Sequence, residues 1–160
     1  MPQTAKPLTS NPYLEPMHSM GYLSRVNFRM FSRALEKLTL PHGVSAGQWR
    51  LLRVLWEEDN ITQRQLSERT GTKEATTVHA VRSLVDAGFA VRTRCNEDKR
   101  KVYITLTPQA HRLRATLMPK VVTVNEIALA GISADDIETA RKVLAHTYAN
   151  LCEHLGETHD

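Results

Sequence analysis

A mainly α-helical fold interrupted by one β-hairpin is predicted by three features of the sequence. Apolar residues recur at helical spacing through most of the chain, and the period shortens to two only between residues 89 and 106. Gly and Pro, seven of each in 160 residues, are too few for a fold made of many tight turns. With 41% hydrophobic and 24% charged residues the composition fits a soluble globular chain with a single core, and 6% aromatic residues argue against a large aromatic sandwich. Two distant cysteines, Cys95 and Cys152, without a CxxC pair exclude a disulfide-rich scaffold and the usual structural zinc motifs, which suggests a reducing compartment. No apolar run approaches the roughly 20 residues of a membrane span. Residues 1–16 are polar and Pro-punctuated, unlike a signal peptide. A cytoplasmic location with no membrane partner, metal or cofactor is expected.

The elements follow in order. Met20, Leu23, Phe31, Leu35 and Leu38 define a first long helix over residues 20–38, ended by Pro41, His42 and Gly43. Ser45 with Gln48 forms a capping box that opens the bulky run Trp49, Leu51, Leu52, Leu55, Trp56, so a second helix reaches about Glu58. Asp59 and Asn60 turn the chain. A second capping box, Thr62 with Gln65, starts a short third helix that Gly71 closes. Thr72 is placed to cap a fourth helix over residues 73–87 with Ala75, Val78, Val81, Leu84 and Val85 along its packed side. Its other side is small, polar and basic: Lys73, Thr76, Thr77, His79, Ala80, Arg82 and Ser83.

After Gly88 the alternation of Phe89, Val91, Thr93 and Cys95 with Ala90, Arg92 and Arg94, then of Val102, Ile104 and Leu106, reads as a hairpin. Its apolar side would pack on the helices while Arg92, Arg94, Lys99 and Lys101 project. Thr107 followed by Pro108 begins a fifth helix through Leu113, Leu117, Val121, Val124 and Ala128, which Pro119 should kink or divide. Gly131 ends it. Ser133, Asp135 and Asp136 start a last helix striped by Ile137, Leu144, Tyr148, Leu151 and Leu155.

Three helices followed by a basic two-stranded hairpin, within long flanking helices, describe a winged helix-turn-helix whose fourth helix would be the reader. Charge agrees. Residues 62–101 hold nine basic and five acidic side chains, whereas residues 102–160 hold five and seven. Such a polarity is expected if the middle segment meets a polyanion and the last meets protein. No GxSxG, HExxH or GxxxxGK[ST] motif occurs, so no enzymatic activity is expected.

Residues 63–71, Ala75-Thr76-Thr77-Val78, Leu84, Gly88-Phe89-Ala90-Val91-Arg92, and residues 96–107 with their Asp-x-Arg tip before an alternating strand and Leu-Thr resemble the MarR (multiple antibiotic resistance regulator) family of bacterial winged-helix regulators. The resemblance covers roughly residues 20–155. It implies an N-terminal arm and first dimerisation helix in residues 1–43, a DNA-binding winged module in 44–107, and C-terminal dimerisation helices in 108–160. It further implies a homodimer that represses from a near-palindromic duplex.

By position in the family pattern, Thr76, Thr77 and His79 would face bases, and Lys73 and Arg82 the backbone. Asp98 and Arg100 resemble the structural ion pair of the wing tip. Lys99 stands where members insert a basic side chain into the minor groove, and Arg92, Arg94 and Arg100 complete the cationic set. His79 stands where many members have a basic residue, and Ala110 where Gly is usual. The family's small-molecule site lies between the first, second and fifth helices. Here those segments offer His18, Tyr22, Arg25, Trp49, Arg50 and Met118, with Arg29 and Arg53 near them, a set suited to an aromatic carboxylate. Two other readings stand beside this one: a redox trigger at Cys95, next to Arg94, and a winged module that binds protein without specific DNA affinity.

Overall fold

The computed structural model describes residues 11–157; the first ten residues of the N-terminal arm and the last three of the chain lie outside it. Two short 3-10 turns, Pro12–Leu14 and Pro16–His18, precede α1 (Met20–Thr39). The order continues as α2 (Ala46–Leu55), β1 (Ile61–Thr62), α3 (Gln63–Arg69), α4 (Glu74–Asp86), β2 (Ala90–Arg94), β3 (Val102–Leu106), α5 (Pro108–Leu129) and α6 (Ala134–Leu155). The chain divides into two compact units, one ending at Val124 within α5 and the other beginning at Asn125.

The first unit holds the core. Both capping boxes form as expected: the Ser45 hydroxyl accepts the Gln48 N–H while Gln48 Oε1 accepts that of Ser45, and Thr62 and Gln65 repeat the exchange. Leu51, Leu52 and Leu55 of α2 pack with Leu66 of α3, Val81 and Leu84 of α4, Ile104 and Leu106 of β3, and Ala110 and Leu117 of α5. The core thus draws on α5 well past residue 107. Trp49 and Trp56 meet edge to face with centroids 5.7 Å apart, and the Trp56 indole donates to the Ala110 carbonyl at 3.0 Å.

Four local expectations are corrected. α2 stops at Leu55 rather than Glu58, because the amides of Glu57 and Glu58 both turn back onto the Val54 carbonyl and Trp56 is pinned sideways to α5. The sheet has three strands in the order β1-β3-β2, since Ile61 and Thr62 pair with Ile104 and Tyr103. α5 is not divided at Pro119 and continues to Leu129. The proline removes one helical donor, but the carbonyl it orphans belongs to Ala115, an exposed residue that water can reach.

The fourth correction concerns strand parity. Arg92 lies opposite Ile104 and Arg94 opposite Val102, so both arginines share the sheet face of the buried Ile104. Val91 and Thr93 take the other face, and Val91 is 48% exposed. Phe89 misleads the alternation: it precedes β2, and its burial comes from the turn in which its N–H bonds the Leu84 carbonyl. Burial on the inner face fades beyond Ala90, which leaves the arginines in solvent.

In the second unit, Ser133 caps α6 by accepting the Asp136 N–H, and Gly156, at φ 67°, closes it in the left-handed conformation. Leu144, Tyr148, Leu151 and Leu155 of α6 are all more than half exposed. Their 4-3-4 spacing puts them along one side of the helix.

Candidate nucleic-acid interface

The turn between α3 and α4 carries the helix-turn-helix geometry. Gly71 takes φ 59°, a conformation open to glycine, and its N–H closes on the Glu68 carbonyl at 3.1 Å. α4 begins one residue after the expected position. Lys73 is its N-cap and makes no side-chain capping bond, so Thr72 is not the cap. The inward line of α4 is Thr77, Val81 and Leu84, not a stripe beginning at Ala75 and Val78, and Val78 is 40% exposed.

This rotation sorts the candidate readers. Lys73, Thr76, His79 and Arg82 are exposed on α4. Thr77 is 1% exposed, so it cannot offer its hydroxyl to a base edge; that expectation is corrected. A buried hydroxyl is tolerated when bonded, and the Thr72 hydroxyl lies 2.8 Å from it. Arg82 leans loosely on Asp86 at 3.9 Å, both well exposed. Gln48, already half of a capping box, sends Nε2 to the carbonyl (3.1 Å) and hydroxyl (2.9 Å) of Ser83 and so ties α2 to α4. Only its capping role is legible in local sequence.

At the wing tip Asp98 Oδ1 accepts the Arg100 backbone N–H at 3.0 Å and its Nε–H at 3.2 Å, while the Lys101 N–H closes on the Asp98 carbonyl. The Arg100 amide first, and then its guanidinium, hold the Asp98 carboxyl below the ordinary carboxylate range. Because the folded value is the lowered one, this bond contributes fully above about pH 4 and is lost as pH falls through the folded value. Amide exchange at Arg100, monitored by NMR, should therefore accelerate relative to β2 on acidification, and D98N should show raised exchange at neutral pH.

Charge pairing varies along the chain. Arg53, Arg64, Arg69, Arg141 and Lys142 each face a carboxylate: Glu57, Glu68, Glu58, and Glu138 for the last two. Among the described residues, Lys73, Arg92, Arg94 and Lys99 have no acidic partner and are all exposed. Exposed cations without an acidic partner also occur elsewhere among the described residues, Arg25, Arg29, Arg33, Lys37 and Arg50 among them. A second support, missed from sequence, sits at the base of the wing. Asp59 Oδ1 accepts the Leu106 N–H at 2.9 Å and Oδ2 meets His111 Nε2 at 3.1 Å. Asn60, at φ 56°, accepts from the Thr105 hydroxyl.

The candidate ligand residues fall into separate groups. The Arg25 guanidinium lies 5.2 Å from the Tyr22 ring centroid, and Arg53 Nη1 approaches Met118 Sδ at 2.9 Å. Trp49, 9% exposed, belongs to the core beside Trp56. His18 and Arg50 are exposed, and among the described residues neither is bonded to the others. No single helix among the described residues is long and apolar enough to cross a membrane.

Comparison with known proteins places this architecture. An uncharacterized HTH-type transcriptional regulator of Staphylococcus aureus is 25% identical over 135 residues, 83% of this chain and 90% of the other. The crystal structure of a MarR transcriptional regulator from Methanosarcina mazei Go1 superposes with a TM-score of 0.77 at 25% identity, covering 84% of this chain and 96% of that one. CouR from Rhodococcus jostii RHA1, solved bound to p-coumaroyl-CoA, gives a TM-score of 0.69 at 23% identity over 81% and 91% of the two chains. Residues 44–102, from the start of α2 through the wing tip, match the MarR family model. The chain thus carries a winged helix-turn-helix that matches the MarR family model over residues 44–102 and is similar in fold and sequence to MarR transcriptional regulators.

Proposed function

We propose that this chain is a cytoplasmic homodimeric repressor that binds a near-palindromic operator and is released by a small effector of the aromatic-acid class. The observation that carries the DNA reading is that Lys73 at the start of α4 and Arg92, Arg94 and Lys99 on the wing are exposed without acidic partners, on the same two elements of the helix-turn-helix and wing that expose Thr76, His79 and Val91. Cations without internal partners are free to displace counterions from phosphates, and exposed polar groups at a helix start can reach base edges. Two α4 helices would enter successive major grooves roughly 34 Å apart, with the wings in flanking minor grooves. Support for a dimer comes from the solvent-facing Leu144, Tyr148, Leu151 and Leu155 of α6, a stripe that a monomer would leave wet.

The effector class rests on the paired Arg25–Tyr22 and Arg53–Met118 groups, which offer a cation beside an aromatic or thioether surface. CouR, which binds an aromatic acyl thioester, is a structural relative consistent with that class. Fluorescence anisotropy on the gene's own upstream duplex and on a shuffled duplex, at two salt concentrations, tests the reading. Preference of a hundredfold or more with steep salt dependence is the expected result. Weak, equal binding to both, together with no enriched sequence from a random duplex pool, would sink it in favour of a protein-binding module. In the same assay H79A should change the preferred sequence while leaving the shuffled duplex bound as before. A panel of aromatic acids and their thioesters should raise the apparent Kd, and release by none of them would remove the effector claim.

A further inference from the structure

Three hydroxyls run through the helix-turn-helix turn. Thr70 Oγ1 donates to the Leu66 carbonyl at 2.8 Å and lies 2.8 Å from Thr72 Oγ1, which lies 2.8 Å from Thr77 Oγ1. Each threonine has one hydroxyl proton. With that of Thr70 given to Leu66, its shortest carbonyl acceptor, Thr72 donates to Thr70 and Thr77 to Thr72. Donation in this arrangement runs from the buried side of α4 to α3, Thr77 to Thr72 to Thr70 to Leu66, with the Lys73 carbonyl a more distant acceptor for Thr77 at 3.4 Å. The Ser67 hydroxyl donates to the Thr72 carbonyl at 2.6 Å, and the Thr72 N–H returns to the Ser67 carbonyl, so the middle residue is held on both sides.

We infer that the Thr70–Thr72–Thr77 relay is a positioning device that sets the rotation and depth of α4, and through them the base preference of Thr76 and His79. The inference rests on α4 being the reading helix. Two facts give the relay its leverage. α4 has no side-chain cap at Lys73, so Thr77 is the side-chain anchor of its first turns. The next side-chain anchor is Gln48 on Ser83, almost two turns further along. Thr76 and His79 flank Thr77, and a base-edge hydrogen bond loses most of its value when the donor moves by a few tenths of an ångström or tilts. Phosphate contacts from the flexible Lys73 and the separate wing tolerate the same movement.

Thr77→Val and Thr72→Val remove one hydroxyl each and keep the β-branched shape. Thr77→Ser keeps the hydroxyl and loses a methyl. The probes are the duplex most enriched by the wild-type protein from a random-sequence pool and a shuffled duplex of equal length. The expected result is a loss of about tenfold in the ratio of the two affinities for both valine variants, the size of one net hydrogen bond. Affinity for the shuffled duplex should stay near wild type while the melting temperature falls by only about 2–4 °C, the cost of one bond, and T77S should keep the wild-type ratio within about a factor of two. A purely structural role would move melting temperature and both affinities together. Wild-type preference kept by T77V and T72V overturns the inference and leaves the reading helix standing, whereas a wild type that enriches no sequence overturns both. Thr72 is only half-buried, so its variant decides the matter even if T77V folds poorly.

Discussion

Changing Arg92, Arg94 and Lys99 together to Ala should lower affinity for every duplex, matched or shuffled, by more than about a hundredfold near physiological salt. None of the three has a carboxylate partner among the described residues, and all are exposed, so their removal breaks no ion pair and opens no cavity. In a dimer six cations are lost. At about 0.9 units per phosphate contact, the slope of log affinity against log salt should flatten by about five units. Titrations at four salt concentrations read the slope directly. An unchanged slope would mean that the wing stays clear of DNA and that α4 alone carries the contact. The predicted effect on sequence preference is small, which separates these anchors from His79.

Trp56→Ala should be the most damaging single change to the fold. The indole is 7% exposed, meets Trp49 edge to face, and spans from the end of α2 to the Ala110 carbonyl on α5. Truncating a buried aromatic of this kind costs about 3–5 kcal/mol, against about 5–15 kcal/mol for a whole domain. The urea midpoint should fall by about 2 M at ordinary cooperativity. Trp56→Phe keeps most of the apolar contact and loses the indole donor, for about 1 kcal/mol. Equal losses for the two variants would place the value of Trp56 in its hydrogen bond rather than in its packing.

The parts of this architecture that were legible in the sequence are those specified over three or four residues. Ser45 with Gln48 and Thr62 with Gln65 announce helix starts because donor and acceptor lie within one turn. The bulky face of α2 is likewise visible, as is the alternation of Val102, Ile104 and Leu106. Thr77 is different: a threonine reads as surface unless its hydroxyl is known to be met, and the partner that meets it lies across a turn whose path is set by Gly71 and Ser67. β1 has two residues and no period to detect; it exists because Ile104 has a free side to pair with. The parity of β2 was misread because Phe89 is buried by the end of α4, not by the sheet. In the candidate site the exposed cations were legible as charges, but which of them lacked partners depended on where Glu57, Glu58, Glu68 and Glu138 came to rest.

The sheet order β1-β3-β2 leaves β2 as a five-residue edge strand, whereas the opposite edge is only two residues long. A free edge is a template on which another chain can add a strand, and charge along it is one of the ways such growth is blocked. Arg92 and Arg94 supply that charge, two like cations in a five-residue strand, so any second copy aligned edge to edge would bring arginine toward arginine. The residues proposed to attract phosphate therefore also keep the free protein dispersed. Neutralising them for a binding study leaves the already exposed Val91 and Thr93 on an unguarded strand, and such variants should be checked by light scattering for self-association before a lost DNA signal is read as lost affinity.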